Sequence, residues 1–315
     1  MDLTPAPFFT DVHPGPAGGS AHWLVTSDAK RIRVGHWPLE AAKGTVLLFP
    51  GRTEYIEKYG LTAQALAARG LATMSIDWRG QGLADRLLDD PLIGHVDAFP
   101  DYQKDVAAMM RAARALSLPR PYFILAHSMG ACIGLRAVME GLGVQAAAFS
   151  GPMWGIHVKP HLRPLAQLLA NVMPRIGKGH HLPPGTTKTP YVLAEPFEDN
   201  TLTTDAVMYD MMRDQITAHP ELALGGPSYV WLREAFAETL HLSGRAAPNL
   251  PTVSWLGTNE RIVGVPRILE RMKNWTGGRL EMVHGAEHEV LMEQEKIRTS
   301  VLDGIEKHFL GTVTN

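Results

Sequence analysis

Two short segments of this chain, residues 45–49 and 122–125, are apolar at almost every position. Successive residues of a β-strand point to opposite faces of the sheet, so such a run indicates a strand that is covered on both faces. Helices packed on both sides of a mostly parallel sheet provide that cover. The two segments therefore predict a fold of the α/β class.

Similar runs recur along the chain and alternate with helical patterns. The eight strand-like runs are residues 23–27, 31–36, 45–49, 73–77, 122–126, 146–150, 252–255 and 279–283. Helical patterns lie at residues 61–68, 101–116, 129–139 and 300–309. This alternation predicts a mostly parallel, eight-stranded sheet flanked by helices, with the first two strands paired as a hairpin.

The alternation stops between residues 151 and 250. This stretch is rich in proline and histidine, has helical pieces at residues 162–173 and 205–218, and shows little strand character. A long interruption of this kind is typical of a lid inserted into one core. We predict a helical cap at 151–250, between a first part of the core at 1–150 and a second part at 251–315.

Ser128 stands at the apex of a predicted turn between an apolar strand and a helix of small residues. Such a turn projects the hydroxyl group out of the sheet and needs small neighbours, here Ala126 and Gly130. The start of the helix offers unpaired N–H groups and its positive dipole end to a developing oxyanion. The pattern favours a nucleophilic serine over the alternative, a serine that caps a buried helix.

A nucleophilic serine needs a general base, and the base needs a carboxylate that orients it. Glu260 follows one late predicted strand and His288 follows the next, after a turn that contains glycine. The order serine, acid, histidine is the one expected after a strand–serine–helix turn. His284 is a competing base, but it is nearly continuous with the strand, so we favour His288. The alternative is that Glu260 and His288 are solvated loop residues.

The loop after the first buried strand can supply a second N–H group to an oxyanion. Gly51 permits an unusual turn there, and the backbone amides of Arg52 and Met129 are the candidate donors. Since the backbone supplies this function, the side chain of Arg52 is free for another role. A structural ion pair with Glu54 or Glu57 is one such role.

Four segments that carry these residues occur in order and together resemble a known family. They read Pro-Gly-Arg-Thr-Glu at 50–54, Asp-Trp-Arg-Gly-Gln-Gly at 77–82, Ala-His-Ser-Met-Gly at 126–130 and Gly-Ala-Glu-His-Glu at 285–289. The set resembles the α/β-hydrolases of the bacterial lysophospholipase L2 and monoacylglycerol lipase group, which are serine-aminopeptidase-like hydrolases. The similarity extends into the predicted lid at 151–155, 199–203 and 225–231. Two departures are Ala126, where glycine is common, and Glu260, where many relatives have aspartate.

The resemblance implies the α/β-hydrolase fold and a catalytic triad of Ser128, Glu260 and His288, with the amides of Arg52 and Met129 as the oxyanion hole. It implies a serine esterase that cleaves the carboxylic ester of a single-chain lipid, as a lysophospholipase that releases a fatty acid. No metal or organic cofactor is expected. Alternatives are a monoacylglycerol lipase, a general carboxylesterase and, remotely, a non-catalytic hydrolase-like binding protein. A peptidase is disfavoured because nothing marks a pocket for a free amino terminus.

Four apolar residues of the predicted lid are candidates for contact with the lipid. Trp154 and Trp231 lie in the segments that resemble the family, and Met208 and Met212 belong to a methionine-rich helical piece. Methionine is flexible and polarizable, which suits the wall of an acyl-chain site, although core packing is the alternative for these residues.

Charge and composition restrict the partners and the location of the protein. A net charge of −2 argues against nucleic-acid binding, and the single Cys132 excludes an internal disulfide or a multi-cysteine metal site. No signal peptide and no membrane-spanning run is visible, so a cytoplasmic location is predicted. Residues 152–194 contain several basic residues and no acidic one. This basic segment predicts peripheral contact with an anionic surface of the inner membrane or with a substrate phosphate; a solvated face is the alternative.

Overall fold

A nine-stranded sheet forms the centre of the protein in the computed structural model, which describes residues 3–313. The strands are β1 (Thr4–Ala6), β2 (Ser20–Val25), β3 (Arg31–Trp37), β4 (Thr45–Phe49), β5 (Ala72–Asp77), β6 (Tyr122–His127), β7 (Ala146–Ser150), β8 (Thr252–Gly257) and β9 (Gly278–Val283). Their order in the sheet is β1-β2-β3-β5-β4-β6-β7-β8-β9. The pairs from β5 to β9 are parallel, and β1, β2 and β3 join them in antiparallel fashion. The fold is that of the α/β-hydrolases.

The prediction of eight strands was wrong by one strand. The additional strand is β1, which pairs with β2 through Thr4 and Trp23 at the edge of the sheet. It has three residues, and one of them is Pro5. Proline is tolerated on an edge strand because the missing N–H group faces away from the ladder. A strand this short has no alternating pattern by which the sequence could reveal it.

Nine α-helices surround the sheet within residues 3–313. They are α1 (Gly60–Ala67), α2 (Tyr102–Ala115), α3 (Ser128–Met139), α4 (Arg163–Arg175), α5 (Tyr191–Ala194), α6 (Ala206–Ala218), α7 (Tyr229–Ser243), α8 (Val265–Lys273) and α9 (Glu295–Gly311). The sequence patterns did not indicate α5, α7 and α8. In α7 the aromatic and β-branched residues at the start resemble a strand, but Ser228 caps the helix by accepting a hydrogen bond from the Trp231 amide at 3.1 Å. Within residues 3–313, no helix is long and apolar enough to cross a membrane.

The two central strands β4 and β6 are buried on both faces, as their sequences indicate. Alternate residues enter different cores: Leu47 and Ile124 pack in one, and Leu48 and Leu125 pack in the other. Full burial of a side chain of this size stabilises a fold by roughly 1.5–3 kcal/mol. These two strands therefore hold the loops that follow Phe49 and His127 in fixed positions at one edge of the sheet.

The segment between β7 and β8 carries α4 to α7 and, among the described residues, no strand of the sheet. It is tied to the core by hydrogen bonds such as that from the Gly94 amide to the Gly226 carbonyl, 2.9 Å long, and that from the Tyr55 hydroxyl to Gln215, 3.0 Å long. The division of the chain at residues 151 and 250 stays a prediction.

Candidate active site

Ser128 lies where β6 ends and α3 begins. Its φ angle is +49°, in the left-handed region, whereas the preceding His127 is extended. A non-glycine residue in this conformation costs about 1–3 kcal/mol, which the packing of β6 and α3 must offset. Ser128 is 9% exposed and lines a cavity. The strained turn therefore presents the hydroxyl group to that cavity.

The small neighbours of Ser128 are required by close contacts. A Cβ atom at Gly130 would overlap the carbonyl oxygens of Phe49 and Pro50 at the end of β4. The methyl group of Ala126 faces α3 without a clash, since even a Cβ atom placed at Gly134 would lie 3.5 Å from it, an ordinary contact distance. The turn thus accommodates alanine at a position where glycine is common.

His288 and Glu260 form a buried pair on the loops after β9 and β8. The Nδ1 atom of His288 lies 2.7 Å from Oε2 of Glu260. Since an ionised carboxylate only accepts hydrogen bonds, Nδ1 carries the hydrogen and Nε2 of the neutral ring is free to accept a proton. Glu260 is held by the amides of Ile262 and Val263, which donate to Oε1 at 2.7 and 3.0 Å.

The two pKa values move in the directions that such a pair requires. Burial alone would lower the pKa of His288, but the negative charge of Glu260 and its hydrogen bond raise that pKa above the usual value. Burial alone would raise the pKa of Glu260, but the positive charge and the hydrogen bond of His288 lower it. The carboxylate is thus ionised, and it stabilises the imidazolium that forms when His288 takes a proton.

His284, the competing base, is exposed directly after β9. His288 is buried, and Gly151, with a φ angle of +48°, lies against its ring. A Cβ atom at position 151 would come within 2.9 Å of Nδ1 of His288. The turn after β7 therefore helps to position the imidazole, a role that the sequence did not indicate.

The loop after β4 brings Arg52 to the same cavity as Ser128 and His288. Trp78 Nε1 donates to the Pro50 carbonyl at 2.9 Å, and Gln81 Nε2 donates to the Gly51 carbonyl at 2.7 Å. Two side chains of the motif at 77–82 thus hold this loop in place. The Met129 amide follows Ser128 in the first turn of α3, where backbone N–H groups have no partner within the helix.

The ion pair of Arg52 with Glu54 or Glu57 does not form. Glu54 accepts a hydrogen bond from Lys58 at 2.7 Å, and Glu57 binds Arg33 through two bonds of 2.7 Å. The backbone turns at Thr53, with a φ angle of +67°, between Arg52 and these carboxylates. Arg52 Nη1 instead donates to the Gly225 carbonyl, at 2.7 Å, in the segment between β7 and β8.

Four buried residues beside His288 form a network that the sequence did not reveal. Nζ of Lys58 lies 2.7 Å from Oε1 of Glu54 and 2.5 Å from Oε2 of Glu289. Possible ligand atoms of Glu54, His127 and Glu289 all lie within 4.8 Å of one another, a spacing that could suit a metal ion. The ammonium group of Lys58 already supplies the positive charge between the carboxylates, so this group is better described as an ion-pair network. Burial lowers the pKa of His127 to about 3, so this ring is neutral.

The cavity at Ser128 has a volume of about 380 Å³ and a mostly apolar wall. Its apolar residues come from the core and from the segment between β7 and β8, and include Met153, Ile156, Val192, Leu202, Met212, Ile216, Trp231, Leu232, Ile262 and Val263. A larger cavity of about 570 Å³ lies between α7 and α8, and no member of the predicted triad lines it. The smaller cavity, which Ser128 and His288 line, is therefore the candidate active site.

Of the four predicted lipid contacts, the structure brings two to this cavity. Met212 and Trp231 line it, but Trp154 and Met208 do not. The Trp154 ring stacks with Trp275 and donates from Nε1 to the Ala131 carbonyl at 3.2 Å. Met208 is buried on α6, among the residues of the second core. Both residues fill the interior, because an apolar pattern marks burial but not which buried surface a side chain reaches.

This arrangement of residues can be compared with known proteins. Residues 40–295 match the family described as serine aminopeptidase, S33, which is well over half of the chain. The protein belongs to the S33 family. Lysophospholipase L2 of Escherichia coli is 33% identical over 276 residues, which cover 84% of this chain and 79% of that protein. The probable lysophospholipase L2 of Haemophilus influenzae is 29% identical over 277 residues, 87% of this chain and 86% of that protein.

Solved structures agree with the fold of this S33 family member. A soluble variant of monoglyceride lipase from Saccharomyces cerevisiae, in complex with a substrate analogue, superposes with a TM-score of 0.68 at 18% identity and covers 98% of this chain and 99% of that one. A thermostable carboxyl esterase from Bacillus coagulans gives a TM-score of 0.73 at 15% identity, with 94% and 99% covered. The α/β-hydrolase fold predicted for this chain is thus confirmed.

Proposed function

We propose that this protein hydrolyses the carboxylic ester of single-chain lipids, and that its substrate is a lysophospholipid. The observation that carries the proposal is the apolar cavity, which is lined at one place by Ser128 and His288. A mostly apolar cavity with a few polar groups suits one acyl chain next to one ester. The relatives named lysophospholipase L2 support the same substrate class.

In the first half of the reaction, Nε2 of His288 takes the proton of the Ser128 hydroxyl as its oxygen attacks the acyl carbonyl. The carbonyl π electrons move to the oxygen, and the amides of Arg52 and Met129 stabilise this oxyanion. The tetrahedral intermediate collapses, the ester C–O bond breaks, and the leaving alcohol takes the proton from His288. Ser128 now carries the acyl group.

In the second half, His288 takes a proton from water, and the resulting hydroxide attacks the acyl group on Ser128. Collapse of the second intermediate breaks the bond to Ser128, which recovers its proton from His288, and the fatty acid leaves. Glu260 keeps the imidazole in the required tautomer and stabilises its positive charge in both halves. These steps use no metal or organic cofactor.

The charges of the cavity argue against cleavage of peptides from a free amino terminus, despite the family description. A peptide ammonium group would need an unpaired carboxylate. Among the described residues, the two carboxylates that line the cavity, Glu54 and Glu289, both bind Lys58. An apolar chain next to a neutral or anionic head group fits this wall better.

We expect the protein to release fatty acid from 1-acyl lysophosphatidylcholine at least about tenfold more efficiently than from a monoacylglycerol of equal chain length. The reason is that a hydrogen bond between the protein and the charged phosphate contributes about 1.5 kcal/mol or more, which corresponds to about tenfold. The measurement is kcat/KM for both lipids in the same neutral detergent micelles, with Ser128→Ala as the blank. Preference for the neutral lipid would instead favour the second candidate, a monoacylglycerol lipase, which the largely apolar wall also suits. Cleavage of neither lipid would contradict the substrate class.

Residues 151–250 form, in this proposal, a lid over the cavity. Val192 on α5, Met212 on α6 and Trp231 on α7 line the same cavity as Ser128. A substrate that enters between these helices and the core is shielded from water on that side, which strengthens the hydrogen bonds to the oxyanion.

The helix α4 carries the surface that we propose for contact with an anionic membrane, which fits the predicted cytoplasmic location at the inner membrane. Its exposed side holds Leu165 and Leu168, with exposed fractions of 52% and 58%, and Ile176, which follows the last residue of the helix at the same side, is 58% exposed. The opposite side of α4 packs against α7. An amphipathic helix with an exposed apolar stripe is typical of a segment that lies in the membrane interface.

The basic residues around this stripe complement an anionic lipid surface. Lys159, Arg163, Arg175 and Lys178 are exposed, and no acidic residue occurs between positions 152 and 194. Lys188, in contrast, is neutralised by Asp90 at 2.6 Å. Each basic side chain close to an anionic membrane contributes about 1 kcal/mol to binding.

We expect the triple substitution of Leu165, Leu168 and Ile176 to serine to weaken binding to phosphatidylglycerol vesicles roughly 100-fold, because three apolar side chains lose their place in the interface. Vesicle sedimentation measures the binding, and turnover of a water-soluble short-chain ester checks that the site is intact. A matched control substitutes Val25, Val207 and Met282, which are exposed on β2, α6 and β9, and should bind as the wild type does. Equal binding of both triple variants would overturn the proposed contact.

A further inference from the structure

Arg52 places a cation on the wall of the catalytic cavity without a carboxylate partner. Its side chain donates to the Gly225 carbonyl at 2.7 Å, and its guanidinium carbon lies 5.6 Å from the centre of the Trp231 ring. Within residues 3–313 no carboxylate forms an ion pair with it or affects its pKa, which burial lowers and the nearby Tyr102 hydroxyl raises only in part. Most of its five N–H donors are therefore available to a ligand.

Other buried arginines of this protein are satisfied by the protein itself. Arg33 binds Asp77 and Glu57, and Arg79 binds Asp105 and Asp28. Further arginines that lack a carboxylate partner still find several carbonyl groups: Arg86 donates to three carbonyls and Arg271 donates to two. Arg52 has one such acceptor, and it differs from Arg86 and Arg271 in lining the cavity of Ser128.

The environment of Arg52 favours an anion. Burial lowers the pKa of Arg52 to about 10, which still leaves the group protonated at neutral pH. A partly buried cation without a counter-charge is destabilising, and an anion in the cavity would remove that penalty. Lys58, the nearby lysine on the same wall, is already neutralised by Glu54 and Glu289.

The reach of the arginine side chain matches the dimensions of a lysophospholipid. Two paths of covalent bonds can be compared. One runs from the backbone nitrogen of Arg52 to its guanidinium carbon, and the other runs from the acyl carbonyl carbon of a 1-acyl lysophospholipid to its phosphorus; the two have the same number of bonds. The amide and the guanidinium group of one residue can therefore contact the ester and the phosphate at the two ends of the glycerol unit. In the proposed mechanism the Arg52 amide donates to the carbonyl oxygen, while its side chain ends beside the Gly225 carbonyl and the Trp231 ring.

We propose that the guanidinium group of Arg52 binds the phosphate of the lysophospholipid and thereby selects this lipid over neutral esters. The inference rests on the proposed function and assigns the specificity of that site to one side chain. Planar guanidinium groups bind phosphate oxygens through two parallel hydrogen bonds, which a lysine cannot reproduce.

The test compares kcat/KM for 1-acyl lysophosphatidylcholine and for monoacylglycerol in the same neutral micelles. We expect Arg52→Gln to lower the ratio of the two values about 10- to 100-fold, mainly through KM for the phospholipid, and Arg52→Lys to retain part of it. Because the readout is a ratio, a general loss of activity through the oxyanion loop does not affect it. Arg233→Gln is the matched control: Arg233 pairs with Glu234 on α7, outside this cavity, and its loss should leave the ratio unchanged.

An unchanged ratio in Arg52→Gln would overturn the inference while leaving the proposed function intact. Failure of the proposed function itself would be visible in the wild type, as the absence of any preference for the phospholipid. Inorganic phosphate is the second probe, since a free anion offers the same chemistry. Inhibition by phosphate that disappears in Arg52→Gln, together with an unchanged lipid ratio, would assign the site to a free anion and overturn the lipid assignment.

Discussion

Substitution of Ser128 by alanine is expected to lower kcat for lysophosphatidylcholine at least about 10⁴-fold, because the acyl group then has no covalent acceptor. The measurement is fatty-acid release at saturating lipid. Alanine can keep the left-handed turn at φ +49° about as well as serine does, so the fold should persist. Circular dichroism and the thermal unfolding temperature should therefore match those of the wild type.

Covalent labelling separates loss of the nucleophile from loss of the fold. A fluorophosphonate should label the wild type and fail to label Ser128→Ala. Ser243→Ala removes an exposed serine at the end of α7 and should label as the wild type does. A folded Ser128→Ala protein with full turnover would refute the mechanism.

Substitution of Glu260 by glutamine is expected to lower kcat about 10³- to 10⁴-fold. The amide cannot stabilise the imidazolium, and it can hold His288 in the wrong tautomer, so that Nε2 carries the hydrogen. The measurement is kcat for the same lipid over a range of pH. Glutamine is close to glutamate in size, so the amides of Ile262 and Val263 can still bind its carbonyl oxygen.

The same variant should also change the pH profile. His288 acts as a base only when neutral, so activity falls as the pH drops below its pKa. Burial would lower that pKa, and the charge of Glu260 raises it in the wild type. Without that charge the pKa falls, and the acid limb of kcat/KM should move to lower pH.

Glu287→Gln provides the matched control for Glu260→Gln. Glu287 is adjacent to His288 in sequence and is buried, but it binds Arg261 and not the imidazole. We expect its kcat to stay within a fewfold of the wild-type value and its acid limb to stay in place. If both variants behaved alike, Glu260 would not be the residue that orients His288.

The sequence alone was sufficient for the fold class, because strands buried on both faces leave a pattern in their own residues. Leu47 and Leu48 are apolar since each enters a different core. The candidate triad could also be proposed from the sequence. Ser128, Glu260 and His288 each follow a strand of the same parallel sheet, and the ends of parallel strands meet at one edge. The edge strand β1 left no such pattern because it is too short.

Only the tertiary structure decided which side chains share the cavity. Met212 and Met208 lie on one helix and look alike in sequence, yet only Met212 lines the cavity. Lys58 binds Glu289 across a separation of 231 residues, so no local pattern could indicate that pair.

The surroundings of Arg52 show the same division. Its backbone position follows from the strand before it, which the sequence determined. The partner of its side chain does not follow from the sequence. Glu54 and Glu57 are close to Arg52 in sequence, but they bind Lys58 and Arg33. The side chain of Arg52 instead donates to the Gly225 carbonyl. The physical reason is that strand and helix patterns arise from neighbours along the chain, whereas charge pairing and cavity walls arise from surfaces that meet only after the chain has folded.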